Sequence, residues 1–110
     1  MAVKVLPLVD IIEEEEHYIL TAELPGVSKE KMELEVEKDY VTIKGIPEKI
    51  NDEKWKILYR EFNEDYEFER SFRIGNDVDQ KKIKASLEDG VLTLTLPKRE
   101  EVKPRKIKIQ

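Results

Sequence analysis

The stretch IKASLEDGVLTLTLP, residues 83–97, decides the fold. Leu92, Leu94 and Leu96 alternate with Thr93 and Thr95, the period of a strand that turns successive side chains to opposite faces. Asp89-Gly90 supplies the two-residue turn of an antiparallel hairpin, and Pro97 closes the leucine stripe because it cannot continue a ladder.

The same period spreads outward from this hairpin. YEFERSFRI (66–74) sets Tyr66, Phe68, Arg70, Phe72 and Ile74 on one face. HYILTAEL (17–24) does so with Tyr18, Leu20, Ala22 and Leu24, and MELEVE (32–37) alternates Met32, Leu34 and Val36 with glutamates. YVTIKG (40–45) continues with Val41 and Ile43, and Lys38-Asp39 before it makes a second short hairpin turn. Helix-period stretches are hard to find. The expected fold is all-β, an antiparallel immunoglobulin-like β-sandwich. ELPGVSKEKM (23–32) reads as a loop, with a turn at Pro25-Gly26 and Ser28 able to cap a single helical turn. The gap from Pro47 to Asp65 is far longer than a hairpin connection. Within it Trp55, Ile57 and Tyr59 alternate with Lys56, Leu58 and Arg60, which suggests a further strand in a loop that protrudes from the body.

At 110 residues the chain has the size of one domain. Charged residues make up 41% and hydrophobic ones 39%, enough for one core under a mixed ionic coat. The net charge of −5 argues against a phosphate-backbone binder, so nucleic acid is not an expected partner. Cysteine is absent, which suits a reducing cytoplasm. The N-terminus MAVKVLPLVDIIEEEE is broken by Lys4, Pro7 and Asp10, so it reads neither as a signal peptide nor as a membrane span.

Nothing in the chain assembles a catalytic or metal site. Glu13 to Glu16 lie along a strand entry, where successive side chains diverge, and read as a solvated run. His17 is the only histidine, and the four glycines are isolated, so neither a histidine-based metal cluster nor a phosphate loop is indicated. The expectation is a protein that is not an enzyme and uses no cofactor. Two features ask for another explanation. Arg70 shares a strand face with Phe68 and Phe72, so it either snorkels to water at a sheet edge or meets a carboxylate across a subunit interface. Ile107 and Ile109, in the terminal KPRKIKIQ, either finish a strand of the chain's own sheet or dock on another molecule.

AELPGV, FERSFRI and above all ASLEDGVLTLTLPK followed by a terminal IKI resemble the α-crystallin domain of small heat-shock proteins, over nearly the whole chain from Val9 to Ile109. The resemblance implies an ATP-independent holdase chaperone that binds unfolding client proteins, builds from a homodimer and forms larger assemblies. It implies that Trp55, Ile57 and Tyr59 belong to a strand exchanged onto the partner's sheet near Val9 to Ile12, and that Arg70 lies at the dimer contact. It further implies that Ile107 and Ile109 dock in a groove between the sheets of a neighbour, near Leu34 and Val36 on one side and Ile83, Ala85 and Leu87 on the other. The expected organisation is a short N-terminal segment (1–8), a sandwich domain (9–97) and a C-terminal extension (98–110), in place of the longer arm usual in the family. Gly75 stands where the family commonly has proline. The alternative readings are an adaptor of the co-chaperone sandwich type and a self-assembling scaffold without clients.

Overall fold

The computed structural model describes residues 3–48 and 66–110. The alternating stretches become β1 (Val3–Val5), β2 (Val9–Glu13), β3 (His17–Glu23), β4 (Val27–Glu37), β5 (Tyr40–Pro47), β6 (Tyr66–Arg73), β7 (Lys84–Glu88) and β8 (Val91–Pro97). Single 3-10 turns span Gln80–Lys82 and Glu100–Val102. One sheet has the order β1-β6-β5-β4 and the other β2-β3-β8-β7. Every pairing is antiparallel except β1 on β6.

Register explains the core. In the second sheet Leu20 faces Leu94 and Ala22 faces Leu92, and all four are buried. In the first, Val41, Ile43 and Phe68 turn inward to meet them, with Leu24, Val27, Ile74, Val78 and Leu96 closing the ends. Each leucine removed from water contributes about 1.5–3 kcal/mol, so this shared interior is the main hold between the layers.

The tight turns follow from local chemistry. Asp89 and Gly90 both have positive φ, 49° and 75°, the pair of left-handed residues that a two-residue hairpin turn requires. Gly90 is also pressed against the chain before β4: an added Cβ would lie 3.2 Å from the Leu24 carbonyl oxygen. Lys38 takes φ 53° in the β4–β5 turn, where the sequence places it.

The structure departs from the sequence reading in two places. The stretch expected as a loop is the start of β4, and Ser28 caps no helical turn. Between Val27, opposite Pro47, and Met32, opposite Gly45, the register shifts, so a bulge absorbs the extra residues and breaks the alternation. Strand structure also begins before Val9, since Val3–Val5 lie parallel on Tyr66–Phe68. Arg70 shares the inner face of β6 with Phe68 and Phe72, opposite Ile43, and stays partly exposed. Trp55, Ile57 and Tyr59 fall outside the described residues.

Candidate functional site

β4 and β7 each end their sheet and have no strand on their outer side among the described residues. Hydrogen bonds tie them together at both ends. Gln80 Nε2, just before β7, donates to the Lys38 carbonyl after β4 at 2.6 Å, while Leu24 N, just before β4, donates to the Gly90 carbonyl after β7, also at 2.6 Å. The two free edges therefore run side by side in opposite directions, one in each layer.

Between them the inner faces of both strands are only half covered. Leu34 is opposite Ile43 and Val36 opposite Val41, which fixes their side chains on the core side of β4. Ala85 is opposite Leu94 and Leu87 opposite Leu92, which does the same for β7. Leu34, Ile83 and Leu87 pack on the core yet stay partly accessible, Ala85 is exposed, and Val36 is 43% exposed. Leu34, Val36, Ala85 and Leu87 thus share the inner faces of the two edge strands, with Ile83 on the core just before β7, and the half-covered space they flank is an apolar cleft. Met32 belongs with them, half-buried on the same face opposite Gly45. Its place in the alternation Met32, Leu34, Val36 is the signal that could have found it.

The tail leaves β8 beside the β7 end of this cleft, and its root is fastened. Val78 bridges Lys98, Lys98 N donates to the Glu16 carbonyl at 2.9 Å, and Arg99 N donates to the Asp77 carbonyl at 2.6 Å. The 3-10 turn that follows is closed by Lys103 Nζ, 2.9 Å from Glu100 Oε1. That hydrogen bond is the main reason Glu100 is held below the usual carboxylate range and Lys103 above the usual lysine range. From Pro104 onward there is no regular structure, and Ile107 and Ile109 are 89% and 94% exposed. They do not finish a strand of their own sheet. The free connector is Pro104 to Lys106, not the whole segment from Pro97, and its full extension lets Ile107 move at most about 14 Å from Lys103.

On the opposite side of the sandwich β2 is an edge strand with Ile11 and Ile12 about half exposed, and Leu6 and Leu8 before it are more open still. Arg70 lies near this side. Its Nη1 donates to the Pro7 carbonyl at 3.2 Å, and its guanidinium carbon is 5.1 Å from the centre of the Phe72 ring. Within the described part of one chain it meets no carboxylate, so the backbone and an aromatic face take up its charge. β1 covers β6 only as far as Phe68, which leaves the segment from Glu69 to Arg73 without a strand on that side among the described residues.

Two further charged contacts lie at the entry to β3. Glu13 reaches Lys98 at 2.9 Å, and His17 lies 3.4 Å from Glu14. Tyr18 donates its hydroxyl to the Asp77 carboxylate; this bond, with burial second, pushes the phenol up to about 12. Among the described residues no group of three or more side chains is placed to hold a metal ion, and no helix is long and apolar enough to cross a membrane.

This arrangement has close parallels in known proteins. A sequence model of the Hsp20/alpha crystallin family matches residues 10–110. Spore protein SP21 of Stigmatella aurantiaca is 36% identical over 94% of the chain, and small heat shock protein C4 of Rickettsia felis is 34% identical over 94%. The chain spans 62% and 63% of the lengths of these two relatives. A small heat-shock protein from Xylella fastidiosa, 32% identical, superposes with a TM-score of 0.70 over 94% of this chain and 95% of its own. The two-sheet sandwich and the family match over most of its length agree, and the chain belongs to the Hsp20/alpha crystallin family.

Proposed function

We propose that the chain is an ATP-independent small heat-shock chaperone that holds unfolding proteins and keeps them from aggregating, without a cofactor and without enzymatic turnover. The observation that carries this reading is the cleft, where two strand edges, unpaired among the described residues, flank a row of half-covered apolar side chains. Unfolding proteins expose apolar, strand-forming segments, and such a cleft offers them both backbone partners and an apolar floor. The cytoplasm, where such segments appear under stress, is the compartment we assign.

The same cleft accepts the tail of a neighbouring subunit. Fully burying one isoleucine contributes about 1.5–3 kcal/mol, but ordering the backbone costs about 1–2 kcal/mol per residue, so a single tail binds weakly. A homodimer carries two tails, and their linkage raises effective concentration enough for larger assemblies that still exchange subunits. The dimer forms by strand exchange, with Trp55, Ile57 and Tyr59 brought to the exposed β2 edge of the partner and Arg70 beside that contact. In this scheme residues 9–97 are the sandwich domain, extended by Val3–Val5, and residues 98–110 are the extension that links dimers.

The test is suppression of aggregation of a thermally unfolding client, at several chaperone ratios, with and without ATP. Suppression that is independent of ATP is expected, and Ile107→Ala with Ile109→Ala should abolish species larger than the dimer while leaving it folded. No suppression at any ratio would move the reading to an adaptor for one folded partner or to a scaffold.

A further inference from the structure

The rim of the cleft has a charge pattern of its own. Along β4, Glu33, Glu35 and Glu37 occupy the exposed face, alternating with Met32, Leu34 and Val36 that turn toward the cleft. Register places Lys44 of β5 beside Glu33, but Thr42 and Tyr40 beside Glu35 and Glu37, so two of the three carboxylates have no opposite charge across the ladder. Lys44 is itself shared, its Nζ lying 3.9 Å from Glu69 Oε1 on β6, and Glu69 Oε2 in turn is 2.8 Å from Lys4 on β1. The outer edge of β4 is therefore an acidic row next to a backbone that no other strand among the described residues pairs.

The tail carries the complementary pattern. Lys106 and Lys108 alternate with Ile107 and Ile109, and Arg105 precedes them. In an extended segment successive side chains point to opposite faces, so a tail that turns both isoleucines into the cleft turns both lysines away from it. If that segment is added to β4 as a strand, the lysines fall on the same face as the glutamate row, where directly opposed charges attract. The tail cations then complete an alternation of charge that already runs Glu33, Lys44, Glu69, Lys4 across the sheet.

Taking the docking of the tail in the cleft as given, we propose that the glutamate row of β4 selects the basic tail of a second copy of this chain. Lys106 and Lys108 pair with Glu33, Glu35 or Glu37 while the isoleucines fill the apolar floor. The row discriminates by charge: an extended apolar segment flanked by acidic residues meets repulsion at the same edge, although its apolar side chains would fit.

The probe is a labelled peptide of residues 103–110, titrated into the full chain carrying Ile107→Ala and Ile109→Ala, whose own tail does not compete. A second peptide carries Lys106→Glu and Lys108→Glu. An opposite-charge cross-strand pair is worth up to about fivefold in an equilibrium constant, so the basic peptide should bind about tenfold more tightly than the acidic one at low salt. Near 1 M salt, where screening acts within about 3 Å, the two should approach parity. In the background Glu33→Gln, Glu35→Gln, Glu37→Gln, the preference should vanish at low salt while the thermal midpoint stays where it was. Equal binding of both peptides to the unaltered rim, or an undiminished preference in the Gln background, overturns the selection by charge and leaves tail docking standing. Failure of both peptides to bind overturns the selection and the docking together.

Discussion

Tyr18 and Asp77 join two stretches of sequence that lie 59 residues apart. Tyr18 begins the β3 face that carries Leu20 and Ala22, and Asp77 lies in the crossing between β6 and β7, where Ile74 and Val78 are buried. The hydroxyl donates to the carboxylate, and Lys98 Nζ sits 5.0 Å above the ring. A hydrogen bond to a charged acceptor contributes about 1.5–3 kcal/mol when well enclosed, so Tyr18→Phe at this part-buried site should cost about 1–2 kcal/mol in a denaturant titration. The phenol also links stability to pH. Its folded value of about 12 lies above the ordinary 10, so the folded state holds its proton more tightly than the unfolded chain does. The contribution is complete below pH 10 and lost as pH rises toward 12. Tyr18→Phe should flatten that alkaline decline in thermal midpoint. Arg70 makes a second test at this scale. Arg70→Ala removes the bond to the Pro7 carbonyl and the stacking on Phe72, a loss of about 1 kcal/mol within one subunit. That part is independent of protein concentration, whereas any loss at a dimer contact fades on dilution into the monomeric range, so unfolding at several concentrations separates the two.

Among the described strands, β1 is the shortest, and an ion pair supplements the packing of Val5 on the core. It is three residues long, parallel to β6, and clamped by Lys4 on Glu69. Hydrogen bonding between the two lowers Glu69 and raises Lys4 from their ordinary ranges. The clamp is therefore fully present above the ordinary carboxylate range and below the ordinary lysine range, and weakens as pH falls through the depressed value of Glu69. Both side chains meet solvent, so Glu69→Gln should speed amide exchange in Val3–Val5 without moving the global midpoint measurably. A shift of the global midpoint would make β1 part of the cooperative core. Such an element was hard to read from sequence: Val3-Lys4-Val5 is too short for a period, and its partner lies more than sixty residues away. The start of β4 was hidden for a different reason, since the bulge between Val27 and Met32 destroys the alternation just where Pro25-Gly26 announces a turn. β3, β5 and β8 were legible because each buries one face and solvates the other. Leu34 and Val36 alternate with glutamates, and only the family resemblance sets them beside Ala85 and Leu87, because the ties from Gln80 to Lys38 and from Leu24 to Gly90 that bring the two strands together have no local signature.

At the scale of the whole molecule, the root of the tail sets what it can reach. The bonds of Lys98 and Arg99 to the body, and the ion pair that closes the turn at Lys103, fix the direction in which Pro104 departs. Three residues then separate Lys103 from Ile107, and Pro104 restricts one of them. Under the proposed docking, a connector this short admits a neighbour's cleft only within about 14 Å of Lys103, so few relative placements of two dimers satisfy it. Effective concentration is greatest when a linker just spans its sites and falls as it grows longer, which predicts a narrow range of assembly sizes for the natural tail. Inserting Gly-Ser-Gly-Ser between Lys103 and Pro104 adds at most about 14 Å of reach and removes the directional constraint without touching the isoleucines, the cleft or the glutamate row. The inserted variant should still assemble, but native mass spectrometry should find a broader distribution of sizes and faster exchange of subunits between labelled pools. A distribution identical to that of the unaltered chain would mean that contacts elsewhere, not the fastened root, fix the geometry of the assembly.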